Sequence, residues 1–240
     1  MTAPDICPLG IDGILVRFST ALSEEANQTA IAFRQRVAEA DIPGVTDIVP
    51  SLTTVRVGFD PSKTTRADVT AALKQVIHMP VSIDASPRRR WHIPVAFGPR
   101  HAPQLYQAAE LAGVSVETAV AEITARNLRV IALGFAPGQP YLGMLPPHWD
   151  IPRQSELTPH LPSGALVVAV RQLIIFAADA PTGWRHIGQT AFQVYRPQAP
   201  EPFAFEPGDE VRFAQVGDSE LDVLSNRTDT NGGARCEVLG

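Results

Sequence analysis

The chain has 240 residues, 45% hydrophobic and 19% charged, with a formal net charge of −5; that balance belongs to a globular protein with room for one large core or two ordinary ones. Net acidity with scattered Lys and Arg argues against a nucleic-acid binder that works by counterion release. No apolar run approaches the ~20 residues that cross a bilayer. The N-terminus MTAPDICPLG has neither a basic nor an apolar signal region, so the expectation is a cytoplasmic protein with Cys7 and Cys236 reduced.

Residues 11–18 (IDGILVRF) predict a strand from their β-branched and aromatic content. Ser23 predicts the cap of a helix from Glu24 to about Ala40, with Ala30, Phe33 and Val37 on one face and Gly44 as its stop. Strands follow over 45–50 and 53–59, the second alternating Val55, Val57 and Phe59 before the turn Asp60-Pro61. Thr65 caps a second helix whose stripe is Val69, Leu73, Val76 and Ile77, and 81–84 reads as a final strand. The order β-α-β-β-α-β is that of a ferredoxin-like split βαβ unit, which sets an α/β domain at residues 1–87. The basic run Pro87-Arg88-Arg89-Arg90 reads as a solvated connection into a second domain, residues 88–240.

That second region opens with a strand at 91–95. Pro103 suits the first turn of a helix carrying Leu105, Ala108, Ala109 and Ala112, and Ser115 caps another along Val116, Ala119, Val120 and Ile123. Beyond Leu128 the helical period gives way to short apolar runs at 128–133, 166–170, 173–178, 191–195 and 210–213, separated by Pro and Gly. Strands at this spacing indicate a β-barrel or compact sandwich, so the fold class is α+β. The tail from Ser225 reads as loose.

Self-contained catalytic chemistry is scarce. Gly138 and Gly143 have phosphate-loop spacing, but Met144-Leu145 stand where Lys and Ser/Thr are needed. The chain has no GxSxG elbow and no HExxH, and its six histidines are dispersed, with no metal-ligand spacing. None of Met1, Met79 and Met144 precedes a lysine, so a Met-Lys biotin attachment signature is absent.

Two blocks stand out: Leu133 to Gly143 (LGFAPGQPYLG) and Pro181 to Thr190 (PTGWRHIGQT). Their Gly and Pro content reads as shaped loops rather than helix or strand, each following an apolar strand that would hold it rigidly. Gly134, Gly138 and Gly183 allow close approach of a ligand, beside the rigid Pro137, and Phe135, Tyr141 and Trp184 offer apolar walls. Arg153 offers a planar donor fork to a carboxylate, and Gln172 an amide recognition group. Phe135 and Trp184 equally suit plugs at one end of a barrel.

With Pro152-Arg153, Leu161-Pro162-Ser163-Gly164-Ala165 and Pro207-Gly208-Asp209-Glu210-Val211-Arg212-Phe213, these blocks resemble the allophanate hydrolase subunit 1 family, which includes the B subunit of 5-oxoprolinase (PxpB) and the kinase inhibitor KipI. Residues 42–61 are similar too, so the likeness covers about residues 10–225. The resemblance implies a small α/β domain followed by a cyclophilin-like β-barrel. It implies a C-type companion, of the allophanate hydrolase subunit 2 kind, and an A-type companion, which together open 5-oxoproline to glutamate with ATP; fused relatives form the carboxyl-transfer part of urea carboxylase. On that reading the chain is a non-autonomous hydrolase subunit that takes a small amide or lactam, with ATP used by the complex and any biotin carried by a partner. The alternative is KipI-like inhibition of a sensor histidine kinase. The chain departs from the family pattern at Ile123, Leu128, Gln139, His160, Thr182 and Gln189, which leaves the substrate open.

Overall fold

The computed structural model describes residues 3–79, 89–227 and 231–239. The strand expected at 81–84, and Pro87 and Arg88 of the basic run, lie outside them. The chain divides into two compact units, Met1–Ser86 and Pro87–Gly240, and the fold is α+β.

The first unit contains β1 (Asp5–Leu9), β2 (Gly13–Arg17), α1 (Glu24–Glu39), β3 (Val45–Ser51), β4 (Thr54–Phe59) and α2 (Arg66–His78). Both predicted caps form: Ser23 Oγ accepts from the Ala26 amide at 3.1 Å and Thr65 Oγ1 from the Asp68 amide at 3.2 Å, each satisfying a donor that the first helical turn leaves open. Phe33 and Val37 from α1 meet Val55 and Val57 from β4 and Val69 and Leu73 from α2 in one core. Gly44 does not stop α1. The helix ends at Glu39, with Ala40 as its cap and Asp41 at φ 43°, and Gly44, at φ 81°, turns the chain into β3 where a Cβ would strike Thr64.

The sheet runs β1-β2-β4-β3, antiparallel throughout. The unpredicted β1 takes the edge beside β2 that a final strand of the predicted order would use. Residues 11 and 12 consequently form the turn of the β1–β2 hairpin, and Arg66 of α2 closes that turn by donating to the carbonyls of Gly10 (2.8 Å), Ile11 (2.9 Å) and Gly13.

The second unit contains β5 (Arg89–Ala96), α3 (Leu105–Ala112), α4 (Val116–Thr124), β6 (Leu128–Leu133), β7 (Pro140–Gly143), a 3-10 turn (Pro147–Trp149), β8 (Thr158–Leu161), β9 (Ala165–Ala169), β10 (Gln172–Ile175), β11 (Ala180–Thr182), β12 (Arg185–Gln189), β13 (Glu210–Val216), α5 (Asp218–Ser225) and β14 (Arg235–Val238). Seven strands follow one another as β6-β13-β5-β12-β9-β10-β7, and β7 pairs back with β6, closing a mixed barrel in which β5 and β13 are parallel. Pro103 precedes α3, whose cap is Gln104, rather than lying in its first turn. Among the described residues no helix is long and apolar enough to cross a membrane.

Three expectations are overturned here. The two Gly/Pro blocks are only partly loop: β7 begins at Pro140, the strand position where a missing N–H is tolerated, and β12 occupies 185–189. Residues 191–195 form no strand beyond a bridge from Tyr195 to Phe203. Phe192 is instead spent on aromatic packing, 5.1 Å from Trp91 and 5.7 Å from Phe205. The tail is not loose throughout, because β14 pairs with β5 and Glu237 lies 3.0 Å from His92 and 3.8 Å from Arg90.

Nor are Arg89 and Arg90 solvated linker residues. The parallel β5–β13 register sets Arg90 against Glu210, at 2.8 Å, while Arg89 grips Asp209 with Nε at 3.0 Å and Nη2 at 2.6 Å. Asp209 is 4% exposed and also accepts from the Glu206 amide at 2.9 Å. Removing one partner of such a pair strands the other charge. Asp209→Ala is therefore expected to cost about 3–5 kcal/mol in urea unfolding, against about 0–1 kcal/mol for the exposed Glu237→Ala.

Candidate functional site

Strands β9 and β10 alternate between two apolar environments. Leu166, Val168, Leu173 and Ile175 enter the main core shared with α3 and α4, whereas Ala165, Val167, Ala169, Ile174 and Phe176 form a second cluster on the opposite face. Trp184, between β11 and β12, covers that second cluster and is 6% exposed. Tyr141 of β7 meets it edge-on, with ring centroids 6.2 Å apart, and the Arg153 guanidinium lies over the indole at 5.3 Å. Burial holds the Tyr141 phenol above its usual pKa, partly offset by the charge of Arg153.

The segment carrying Arg153 is fixed by amides. Gln154 donates its backbone N–H to the Gly183 carbonyl at 2.7 Å and its side-chain amide to the Trp184 carbonyl at 3.0 Å. Its Oε1 accepts from Gln104 at 2.6 Å, and Gln104 in turn accepts from the His186 amide at 2.7 Å. Gly183 lies beside this segment, with the Gln154 carbonyl and Leu157 at ordinary contact distance from where a Cβ would stand. Arg185, the next residue after Trp184, is 6% exposed; it donates Nε to Gln107 of α3 at 3.2 Å and Nη1 to the Pro152 carbonyl. Burial draws its pKa down. Gln107, Arg153, Gln154, Ser155, Glu156 and Arg185 line a cavity of about 380 Å³.

The structure thus brings together Tyr141, Arg153, Gly183 and Trp184 of the residues singled out from sequence. Gly134, Phe135 and Pro137 lie on the β6–β7 loop, where Phe135 is 76% exposed at φ 72° and plugs nothing. Gly138, at φ 70°, packs against the Val194 carbonyl and Phe203. Gln172 begins β10, opposite Ala169 and Gly143. Trp184 is a buried cover of the barrel wall, on the face away from the main core. Gln104, Gln107, Gln154 and Arg185 are not picked out by the sequence pattern. A charged residue directly behind Trp184 is the one available signal, since glutamines on a helix and a loop carry none.

Three departures from the family pattern make identifiable contacts. Gln139, 1% exposed, accepts from the Ala177 amide at 3.2 Å; Thr182 Oγ1 accepts from the Trp184 amide at 3.1 Å; Gln189 donates to the Ser163 carbonyl at 2.8 Å. Ile123 and Leu128 are core residues, and His160 is exposed.

Upstream, the fully buried Trp149 donates to Glu122 at 2.7 Å, and the same carboxylate oxygen lies 2.8 Å from His148. Burial pushes the Glu122 carboxyl up, but the bonds from Trp149 and His148 outweigh it and hold it below its ordinary value of 4.5. A depressed carboxylate stabilises the fold above its unfolded pKa and loses that contribution as pH falls through the folded value. Glu122→Gln should therefore cost about 1 kcal/mol at neutral pH, and the gap from the parent chain should close on acidification below pH 4.5 in chemical denaturation. At the stack itself, Arg153→Ala should raise acrylamide quenching of Trp184 fluorescence, read in a chain with Trp91 and Trp149 replaced by Phe, while costing about 0.5–1 kcal/mol of stability.

Residues 4–205 match the family described as carboxyltransferase domain, subdomain C and D. The chain is 28% identical over 238 residues to the 5-oxoprolinase B subunit of Bacillus subtilis (strain 168), covering 93% of this chain and 96% of that protein. It is 30% identical over 174 residues to the 5-oxoprolinase B subunit of Escherichia coli O157:H7, covering 72% and 79%. Among solved structures it is similar to TTHA0988 (32% identity, TM-score 0.73, 85% of this chain), of which it spans 40% of the length. It is also similar to the Pyrococcus horikoshii protein PH0987 (28% identity, TM-score 0.53, 90% of this chain and 99% of that one). The Kluyveromyces lactis urea amidolyase shares the fold, with a TM-score of 0.76 at 16% identity over 98% of this chain and 16% of that one. The chain belongs to the carboxyltransferase subdomain C and D family and, within it, to the KipI-like group that contains the 5-oxoprolinase B subunits.

Proposed function

We propose that the chain is the B-type subunit of an ATP-dependent 5-oxoprolinase, or of a closely related amide-processing complex, working in the cytoplasm with C-type and A-type partners. On this reading its two units are a ferredoxin-like domain and a cyclophilin-like barrel. The barrel face at Tyr141, Arg153 and Trp184 holds a small lactam or amide while the partners supply ATP-dependent activation. The observation that carries the reading is similarity to a 5-oxoprolinase B subunit along 93% of this chain and 96% of the relative; a likeness of that extent spans the whole relative rather than one shared module.

The chemistry around the cavity supports a positioning role. Guanidinium forks and side-chain amides recognise carboxylates and amides by directional hydrogen bonds, and the amide ladder through Gln104 and Gln154 fixes the segment that presents them. Holding a lactam in one orientation next to an activating partner contributes to rate through proximity. Such a division of labour leaves the bond-breaking groups to the companion chain.

The reading is tested by co-expressing the chain with a C-type homologue, adding the A-type partner, and following 5-oxoproline-dependent ATP hydrolysis and glutamate release. Turnover is expected only with all three present, and Trp184→Ala or Arg153→Ala should lower it by at least about tenfold. Equal turnover from the A-type and C-type partners alone would overturn the proposal.

A further inference from the structure

The cavity beside α3 contains a buried cation with no counter-charge paired to it among the described residues. Arg17, Arg56, Arg89, Arg90 and Arg100 each pair with a carboxylate. Among the described residues, neither Arg185 nor Arg153 does. Arg185 is the more telling of the two, since at 6% exposure it has given up most of its hydration. Its protein partners, the Gln107 amide oxygen and the Pro152 carbonyl, are both neutral. They take Nε and Nη1, and Nη2 has no protein acceptor among the described residues. A desolvated guanidinium with neutral partners is costly, and an anion on its open edge would form the charge-assisted bonds that offset the cost.

The surroundings are built to keep that edge in place. Gln107 and the Pro152 carbonyl hold Arg185, and the bond from Gln104 holds Gln154, another residue of the lining. The Arg153 guanidinium lies over the Trp184 ring at 5.3 Å and has no protein acceptor among the described residues, so its N–H groups are available to a second oxygen. Glu156, exposed, is the carboxylate on the lining. A volume of about 380 Å³ admits a compact organic molecule.

We propose that this cavity binds the carboxylate of a small organic acid, anchored by Arg185 with Arg153 as the second donor fork. The site's existence stands on this geometry alone. The identity of its ligand rests on the function proposed above, and within that reading the substrate is a carboxylate-bearing lactam rather than a neutral amide such as urea.

The test is a titration of the 240-residue chain alone, reading the arginine Nε–H resonances by two-dimensional NMR, with 5-oxo-L-proline and with 2-pyrrolidinone, the same ring without its carboxylate. Saturable movement of the Arg185 resonance is expected with 5-oxo-L-proline, at least about tenfold tighter than with 2-pyrrolidinone, as the loss of a charge-assisted bond implies. Binding followed by calorimetry should vanish in Arg185→Met, persist more weakly in Arg185→Lys, and strengthen in Glu156→Gln. Should Arg185→Met fail to fold, the exposed Arg153→Gln carries the same test, with binding weakened about three- to tenfold. Equal binding of the two rings, binding indifferent to both arginine substitutions, or no saturable movement with either probe overturns the proposal. Because the partner proteins and ATP are absent, an inactive reconstituted complex would count against the proposed function without touching this site.

Discussion

Strands β9 and β10 are apolar on both faces, and that constraint organises the second unit. A strand in an antiparallel barrel normally keeps one face for solvent, and its sequence alternates accordingly. Here Val167, Ile174 and Phe176 point away from the main core and are as deeply buried as Val168 and Leu173, which point into it. Leaving such a surface in water would forgo about 25 cal/mol for every Å². Something must cover it, and what covers it is Trp184, with Leu161, Ala180 and Tyr141 packed around it. The location of the candidate site is thus a consequence of how the wall is composed.

A cover carried partly on irregular chain, with Trp184 between β11 and β12 and Arg153 ahead of β8, brings its own difficulty, because such backbone carries donors and acceptors that no ladder satisfies. The chain meets this with side-chain amides and with a strained hairpin. Val170 and Arg171, at φ 44° and 64°, make the two-residue β9–β10 turn without glycine or asparagine, the usual occupants of such positions. Their amides reach the carbonyls of Ile151 and Trp149 at 2.8 and 3.0 Å, and Leu145 returns a bond to the Arg171 carbonyl at 2.8 Å. The unfavourable dihedrals persist because these bonds over-determine them. The turn therefore clamps the stretch from Leu145 to Ile151 that leads into Pro152 and Arg153.

What can be read from the sequence is local. Ser23, Thr65 and Ser115 cap helices because a hydroxyl there satisfies an adjacent amide, and neither the signal nor its partner lies more than three residues away. The stripes of α1 and α2 are legible for the same reason. Arg89 and Arg90 look like linker residues because their partners, Asp209 and Glu210, lie 120 residues further on; only a parallel β5–β13 register reveals them as seam residues. Strand β14 is hidden similarly, since Arg235 to Val238 is exposed along its length and carries no apolar alternation. Within the site, Trp184 and Arg153 are visible as unusual residues in a Gly/Pro setting. Gln104, Gln107 and Gln154 are not, because a glutamine gains its role from the geometry it is placed in.

Arg89 and Arg185 show how one side chain serves two ends in the same barrel. Each is a half- or fully buried guanidinium at the end of a barrel strand, and each holds a neighbouring segment by donating to it. Around Arg89 the fold supplies a nearly inaccessible carboxylate and a bidentate contact, so the charge is neutralised and the pair acts as a seam. Around Arg185 it supplies an amide oxygen and a carbonyl, which orient the guanidinium without neutralising it. A carboxylate in place of the Gln107 amide would neutralise this guanidinium as Asp209 neutralises Arg89; the chain supplies a neutral acceptor instead. Placing neutral acceptors there keeps the positive field directed into the cavity, where the indole-backed Arg153 adds to it. The arrangement makes sense as recognition: orientation is provided by the protein, and the missing negative charge by whatever enters.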